Sequence, residues 1–81
     1  YISITGTNYS DYVFWNTYTA GWDVGTTQVH LGSNAGYTGQ GNNSIAIGYN
    51  SGYSGQRSDS VCIGNSSGYD SQGNNSVAIG W

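Results

Sequence analysis

Apolar and polar positions alternate in short bursts along the chain, and the bursts recur. Val29-His30-Leu31-Gly32, Ile45-Ala46-Ile47-Gly48, Val61-Cys62-Ile63-Gly64 and Val77-Ala78-Ile79-Gly80 share the pattern apolar-x-apolar-Gly. Each predicts a short strand with period-two alternation, stopped by a glycine. Alternation puts positions one and three on one face, expected to be the core: Val29, Leu31, Ile45, Ile47, Val61, Ile63, Val77 and Ile79. Position two (His30, Ala46, Cys62, Ala78) is mostly small and is expected to face outward.

The strands open the copies of a longer repeat. Residues 29–44, 45–60 and 61–76 align without insertion or deletion, and 77–81 begin a fourth copy. Five columns are invariant across the full copies: Gly32/Gly48/Gly64, Gly36/Gly52/Gly68, Tyr37/Tyr53/Tyr69, Gln40/Gln56/Gln72 and Ser44/Ser60/Ser76. A fixed period of this kind marks a repeat architecture. The Gly-Tyr pair predicts a second short extended piece, and Gly, Asn and Ser clusters supply turns in which left-handed backbone suits Gly and Asn. Two short strands and two turns per copy predict an all-β fold, a parallel β-roll or β-solenoid of 16-residue rungs stacked about 4.8 Å apart. Stacking turns Tyr37, Tyr53 and Tyr69 into an aromatic ladder, and Gln40, Gln56 and Gln72 into an amide ladder. It also accounts for the scarcity of charge. Like charges on adjacent rungs would repel by about 1 kcal/mol in water and about 3–4 kcal/mol at a dielectric of about 20, and no column is ionic.

Residues 1–28 lack the repeat and hold Tyr1, Tyr9, Tyr12, Phe14, Trp15, Tyr18 and Trp22. Tyr1–Thr5 alternates as a strand, Gly6–Asn8 reads as a turn, and Tyr12–Trp15 and Trp22–Gly25 read as strands around an Asn16–Gly21 loop. An aromatic-rich β-hairpin that caps the end of the roll is expected. Trp15 and Trp22 are candidate glycan contacts, because an exposed aromatic face also stacks on sugars.

Composition narrows the function. Of the 81 residues, 42 are Gly, Ser, Asn or Thr, and only 16% are Ile, Leu, Val or Phe. The net charge of −3, from four Asp and Arg57 with no Lys or Glu, is too small for a solvated coil. One Arg leaves no basic surface, so no nucleic-acid partner is expected. No apolar run reaches membrane-spanning length, so no membrane insertion is expected. There is no signal-peptide pattern, and Tyr rather than Met at position 1 makes the chain read as a piece of something longer. Cys62 is the only cysteine and His30 the only histidine. Neither has neighbours at metal-ligand spacing, so no metal and no cofactor is expected. Paired carboxylates, a nucleophile elbow, a phosphate loop and the Ca²⁺-binding nonapeptide are all missing, so no enzyme is expected. Asn8, Asn42, Asn65 and Asn74 stand in Asn-x-Ser acceptor sequences and are candidate glycosylation sites.

Two aliphatic side chains per copy make a thin core. The repeat is therefore expected to be capped, to be longer in its parent chain, or to be completed by copies of itself, as a homotrimer in the preferred reading or by end-to-end assembly. The segments Asn43-Ser44-Ile45-Ala46-Ile47-Gly48 and Asn75-Ser76-Val77-Ala78-Ile79-Gly80 resemble the "NSVAIG" head repeat of trimeric autotransporter adhesins. That resemblance implies a left-handed parallel β-roll, three of which pack side by side into a head that binds host surfaces. Similar repeats, with a Gly-Gln run like Gly39-Gln40-Gly41, occur in capsid-associated and fibre-like proteins of large DNA viruses and in phage tail fibres. Phe14-Trp15-Asn16 and Trp22-Asp23-Val24-Gly25 resemble the aromatic hairpins before such repeats. The bacterial heads usually repeat at a shorter period and the Gly-Tyr column is not their usual pattern, which favours a viral or phage fibre, or a secreted filament, over a bacterial adhesin head. The expected function is a non-catalytic structural or attachment segment of an extracellular, cell-surface or virion fibre, with a cell-surface glycan or receptor as partner. The alternatives are a carbohydrate-binding module built on exposed aromatics and a self-assembling extracellular filament.

Overall fold

A computed structural model describes residues 4–70 and 73–81. Among these residues there is no helix. Strands β1 (Tyr12–Asn16) and β2 (Gly21–Gly25) pair antiparallel, with Trp15 opposite Trp22. Strands β3 (Val29–Leu31), β4 (Ile45–Ile47), β5 (Val61–Ile63) and β6 (Val77–Ile79) form a parallel sheet in that order. Val29 lies opposite Ile45, Ile45 opposite Val61, and Val61 opposite Val77. Of the expected first strand, Tyr1–Ser3 lie outside the described residues, and Ile4 and Thr5 are not in a strand.

Successive copies are also hydrogen-bonded through their turns, with N–H groups donating to the carbonyl one residue before their equivalent in the next copy. Gly36 N–H donates to Ser51 O and Gly52 N–H to Ser67 O, both at 2.9 Å. Thr38 N–H donates to Tyr53 O (2.8 Å) and Ser54 N–H to Tyr69 O (2.9 Å). The expected second extended piece is reduced to isolated parallel bridges, Thr38 to Ser54 and Ser54 to Asp70.

The turns explain two columns of the repeat. At Gly48 (φ +121°) a Cβ would lie 2.8 Å from the Gly64 carbonyl oxygen, so only glycine lets the next copy approach. Asn43, Asp59 and Asn75 share the left-handed region at φ 56°, 57° and 53°. Asn and Asp tolerate that region better than other residues with a side chain, so Asp59 replaces Asn with the backbone unchanged.

The inside and outside of the sheet are the reverse of the expectation. Ala46 and Cys62, at position two, are fully buried at 0% exposure. None of the eight position-one and position-three residues is buried. Val29, Ile45, Ile47 and Val61 are half-buried, and Leu31, Ile63, Val77 and Ile79 are exposed. The cause is the width of the interior. A Cβ built on Gly52 would lie only 3.3 Å from the Ala46 Cβ, so one methyl group fills the gap between the β4 strand and the opposite turn. Branched side chains do not fit there and take the outer face.

Small polar groups complete the interior. Ser44, Ser51, Gln56 and Ser60 are fully buried. Each serine of the invariant column donates to the carbonyl three residues earlier: Ser44 to Gly41, Ser60 to Arg57 and Ser76 to Gly73, all at 2.6 Å. Ser44 shares strand parity with Ala46, and so faces inward with it. Gln40 and Gln56 do not bond to each other. Gln40 Nε2 donates to Val29 O (3.0 Å) and Gln56 Nε2 to Ile45 O (2.9 Å), tying the far turn to the first strand residue. Gln72 lies outside the described residues.

Candidate functional site

Three surfaces bear on function. The first is the outer face of the parallel sheet, where the columns Val29/Ile45/Val61/Val77 and Leu31/Ile47/Ile63/Ile79 lie side by side in register. Leu31 is 52% exposed and Ile79 70%. Parallel sheets are normally covered on both faces, and a contiguous exposed apolar patch marks an interaction surface.

The second is a stack of tyrosines. Tyr37 and Tyr53 rings stack at 5.2 Å between centroids, and Tyr53 and Tyr69 lie 5.0 Å apart. Tyr18, from outside the repeat, adds a fourth ring, stacked on Tyr37 at 5.2 Å with its hydroxyl donating to Tyr37 O (3.3 Å). The β1–β2 loop aims Tyr18 there. Asn16 Oδ1 accepts the Tyr18 N–H (2.9 Å), while Asn16 Nδ2 donates to Asp23 Oδ2 (3.0 Å). Such an Asx turn is a standard use of Asn at a loop entry. Nothing in the repeat signals Tyr18, because it has no equivalent in the other copies.

The third is the hairpin. Alternation along β1 sends Tyr12 and Phe14 toward the first copy and Trp15 away from it. The Phe14 ring meets the His30 ring edge-on at 4.3 Å. Tyr12 hydroxyl donates to Gln28 O (2.6 Å) and accepts the His30 N–H (3.1 Å). A Cβ at Gly25 would collide with the Tyr12 ring, so the cross-strand glycine makes room for it. His30 therefore heads the inward column above Ala46 and Cys62, not an outward one, and meets the hairpin aromatics. Burial pushes its imidazole pKa below the ordinary value. Burial also pushes the Cys62 thiol up, and Gln56 Nε2 lies 3.4 Å from its sulfur. Trp15 and Trp22 form an edge-on cross-strand pair at 5.3 Å, each about half exposed.

Asn8, Asn42, Asn65 and Asn74 are all exposed. Among the described residues, no group of three or more His, Cys, Asp or Glu side chains is placed to hold a metal ion. No helix among them is long and apolar enough to cross a membrane. Compared with known proteins, the chain matches no family model, no curated protein and no solved structure.

Proposed function

We propose that the chain is a structural, non-catalytic module of an extracellular or virion-surface fibre: a parallel β-roll of 16-residue rungs, capped by the β1–β2 hairpin and assembled as a homotrimer. One observation carries the reading. The branched aliphatic columns lie outside a sheet whose interior is already filled by Ala, Cys, Ser and Gln. An apolar face that the chain cannot cover with its own interior is a face for another chain. The continuous inter-copy hydrogen bonds support the roll, because they run through strands and turns alike. The resemblance of Asn43–Gly48 and Asn75–Gly80 to adhesin head repeats supports the left-handed, three-chain form. The scarcity of charge fits a stacked fibre element whose work is done by shape and surface contact.

The test is the assembly mass by light scattering behind a sizing column, at several concentrations. The expected value is that of three 8.5 kDa chains. Ile47→Asp puts a carboxylate in the middle of the apolar face and is expected to give monomers with the β-sheet spectrum retained. A folded monomer for the unsubstituted chain refutes the trimer, and a mass that keeps growing with concentration favours end-to-end stacking instead.

A further inference from the structure

A cleft of about 660 Å³ opens between the β1–β2 hairpin and the first copy. Its walls include Phe14, Tyr18 and Tyr37 on the aromatic side and Thr17, Ser33 and Asn34 on the polar side. We infer that this cleft binds a neutral oligosaccharide. It belongs to a single chain and does not depend on the fibre reading.

The size lies within the range of small-ligand sites and leaves room for more than one sugar ring. No Asp, Glu, Lys or Arg lines it. His30, which does, is held toward its neutral form by burial. An anionic or cationic ligand would find no countercharge and would lose its hydration. An apolar ligand would strand the polar wall. A sugar matches both sides. Its C–H faces pack on aromatic rings, and its hydroxyls need donors and acceptors that are not already engaged. The side chains of Thr17, Ser33 and Asn34 have no hydrogen-bond partner among the described residues and are exposed.

The aromatic wall is also fixed in place. Tyr18 is tied by its backbone N–H to Asn16 and by its hydroxyl to Tyr37 O, and its ring rests on Tyr37. Phe14 is held edge-on against His30. Rigid side chains lose little entropy on binding. Of the two tryptophans, Trp15 lines the cleft and Trp22 does not.

The test uses the ¹⁵N-labelled full chain, titrated by NMR with uncharged cello-, malto- and chito-oligosaccharides and with sulfated and sialylated ones. Weak binding of at least one neutral series is expected, with shifts at Tyr18, Ser33, Asn34 and Tyr37. Tyr18→Ala is expected to weaken it by about tenfold or more. Tyr69→Ala removes the ring at the other end of the same stack, outside the cleft, and is expected to leave the affinity unchanged. Asn34→Gly keeps the left-handed backbone (φ 62°) while removing the amide, and is expected to weaken binding several-fold. Equal losses in Tyr18→Ala and Tyr69→Ala would place the sugar on the stack as a whole and overturn the cleft. So would binding of acidic saccharides alone, or no shift with any neutral series while the spectrum remains that of the folded chain.

Discussion

Replacing Ala46 by Val tests the inverted sheet directly. The substitution adds two methyl groups at a position with 0% exposure, in the middle of the four-stranded sheet. Val is the better strand former, so if Ala46 faced solvent the change would be neutral or slightly stabilising, within about 0.5 kcal/mol. On the buried side of the sheet the outcome is set by space. The Ala46 Cβ is already 3.3 Å from where a Cβ on Gly52 would stand, and the Gln56 side chain closes the same level. Methyl groups added there meet the turn backbone or displace the Gln56 amide from Ile45 O. Overpacking of this kind costs about 1–3 kcal/mol, and at about 4–8 °C per kcal/mol for a domain of this size the melting temperature falls by about 5–20 °C. The assay is thermal denaturation followed by circular dichroism, at fixed protein concentration so that assembly contributes equally. Ala78→Val is the internal control. Ala78 occupies the same column but is only half-buried, so its loss should be smaller. An Ala46→Val chain that melts with, or above, the unsubstituted chain would refute the inward assignment of the column.

Tyr12→Phe removes a hydroxyl that bridges Gln28 O and His30 N–H, and urea titration should show a loss of about 1–3 kcal/mol. His30 has a folded pKa below its unfolded value because burial disfavours the charged ring. Its contribution to stability is therefore complete above the ordinary histidine range and is lost as pH falls through that range toward the folded pKa. Urea midpoints should drop on acidification, and His30→Gln should flatten that part of the profile. Ser60→Ala leaves the Arg57 carbonyl without its hydroxyl donor and should cost about 1 kcal/mol in the same assay. Cys62 is fully buried and its thiol is pushed up by burial, so iodoacetamide should label it only after unfolding; rapid labelling of the folded chain would contradict its placement.

The sequence carried the repeat and its register, because identical residues recur at one spacing and each strand pairs with its own copy. It also carried the hairpin strands, since Tyr12–Trp15 and Trp22–Gly25 flank a loop with an Asn at its entry. The orientation of the sheet was harder to read. Period-two alternation states which residues share a face, and hydrophobicity alone then nominates the wrong one. The signal that decides it is the invariant Ser44/Ser60/Ser76 column. A serine retained in every copy at the parity of Ala46 and Cys62 makes sense only where its hydroxyl is needed, and that is inside, against the carbonyl three residues earlier. The reach of Gln40 and Gln56 across the interior depends on how the far turn folds back, which spacing does not encode. Tyr18 joins the tyrosine stack from outside the repeat, so periodicity was blind to it and to the cleft it walls.

An interior this narrow has a consequence for how the fold is held together. Ala, Cys, Ser and Gly remove little apolar surface from water, so burial on the inner side of the sheet contributes modestly. What the interior supplies is hydrogen bonds: serine to carbonyl within a copy, glutamine Nε2 to strand across it, and backbone to backbone between copies, with Gln40 Oε1 and Gln56 Oε1 buried without a partner. These fix the shape without providing a large driving force, since the net gain per hydrogen bond is small. The large aliphatic and aromatic groups sit instead on the outer sheet face, in the tyrosine stack and in the hairpin over His30. Stability in this chain is therefore concentrated at surfaces. The hairpin satisfies one of them within the chain. In the proposed assembly the outer sheet face is covered by another chain, so a polar substitution there should act on assembly while the methyl groups added at Ala46 act on folding.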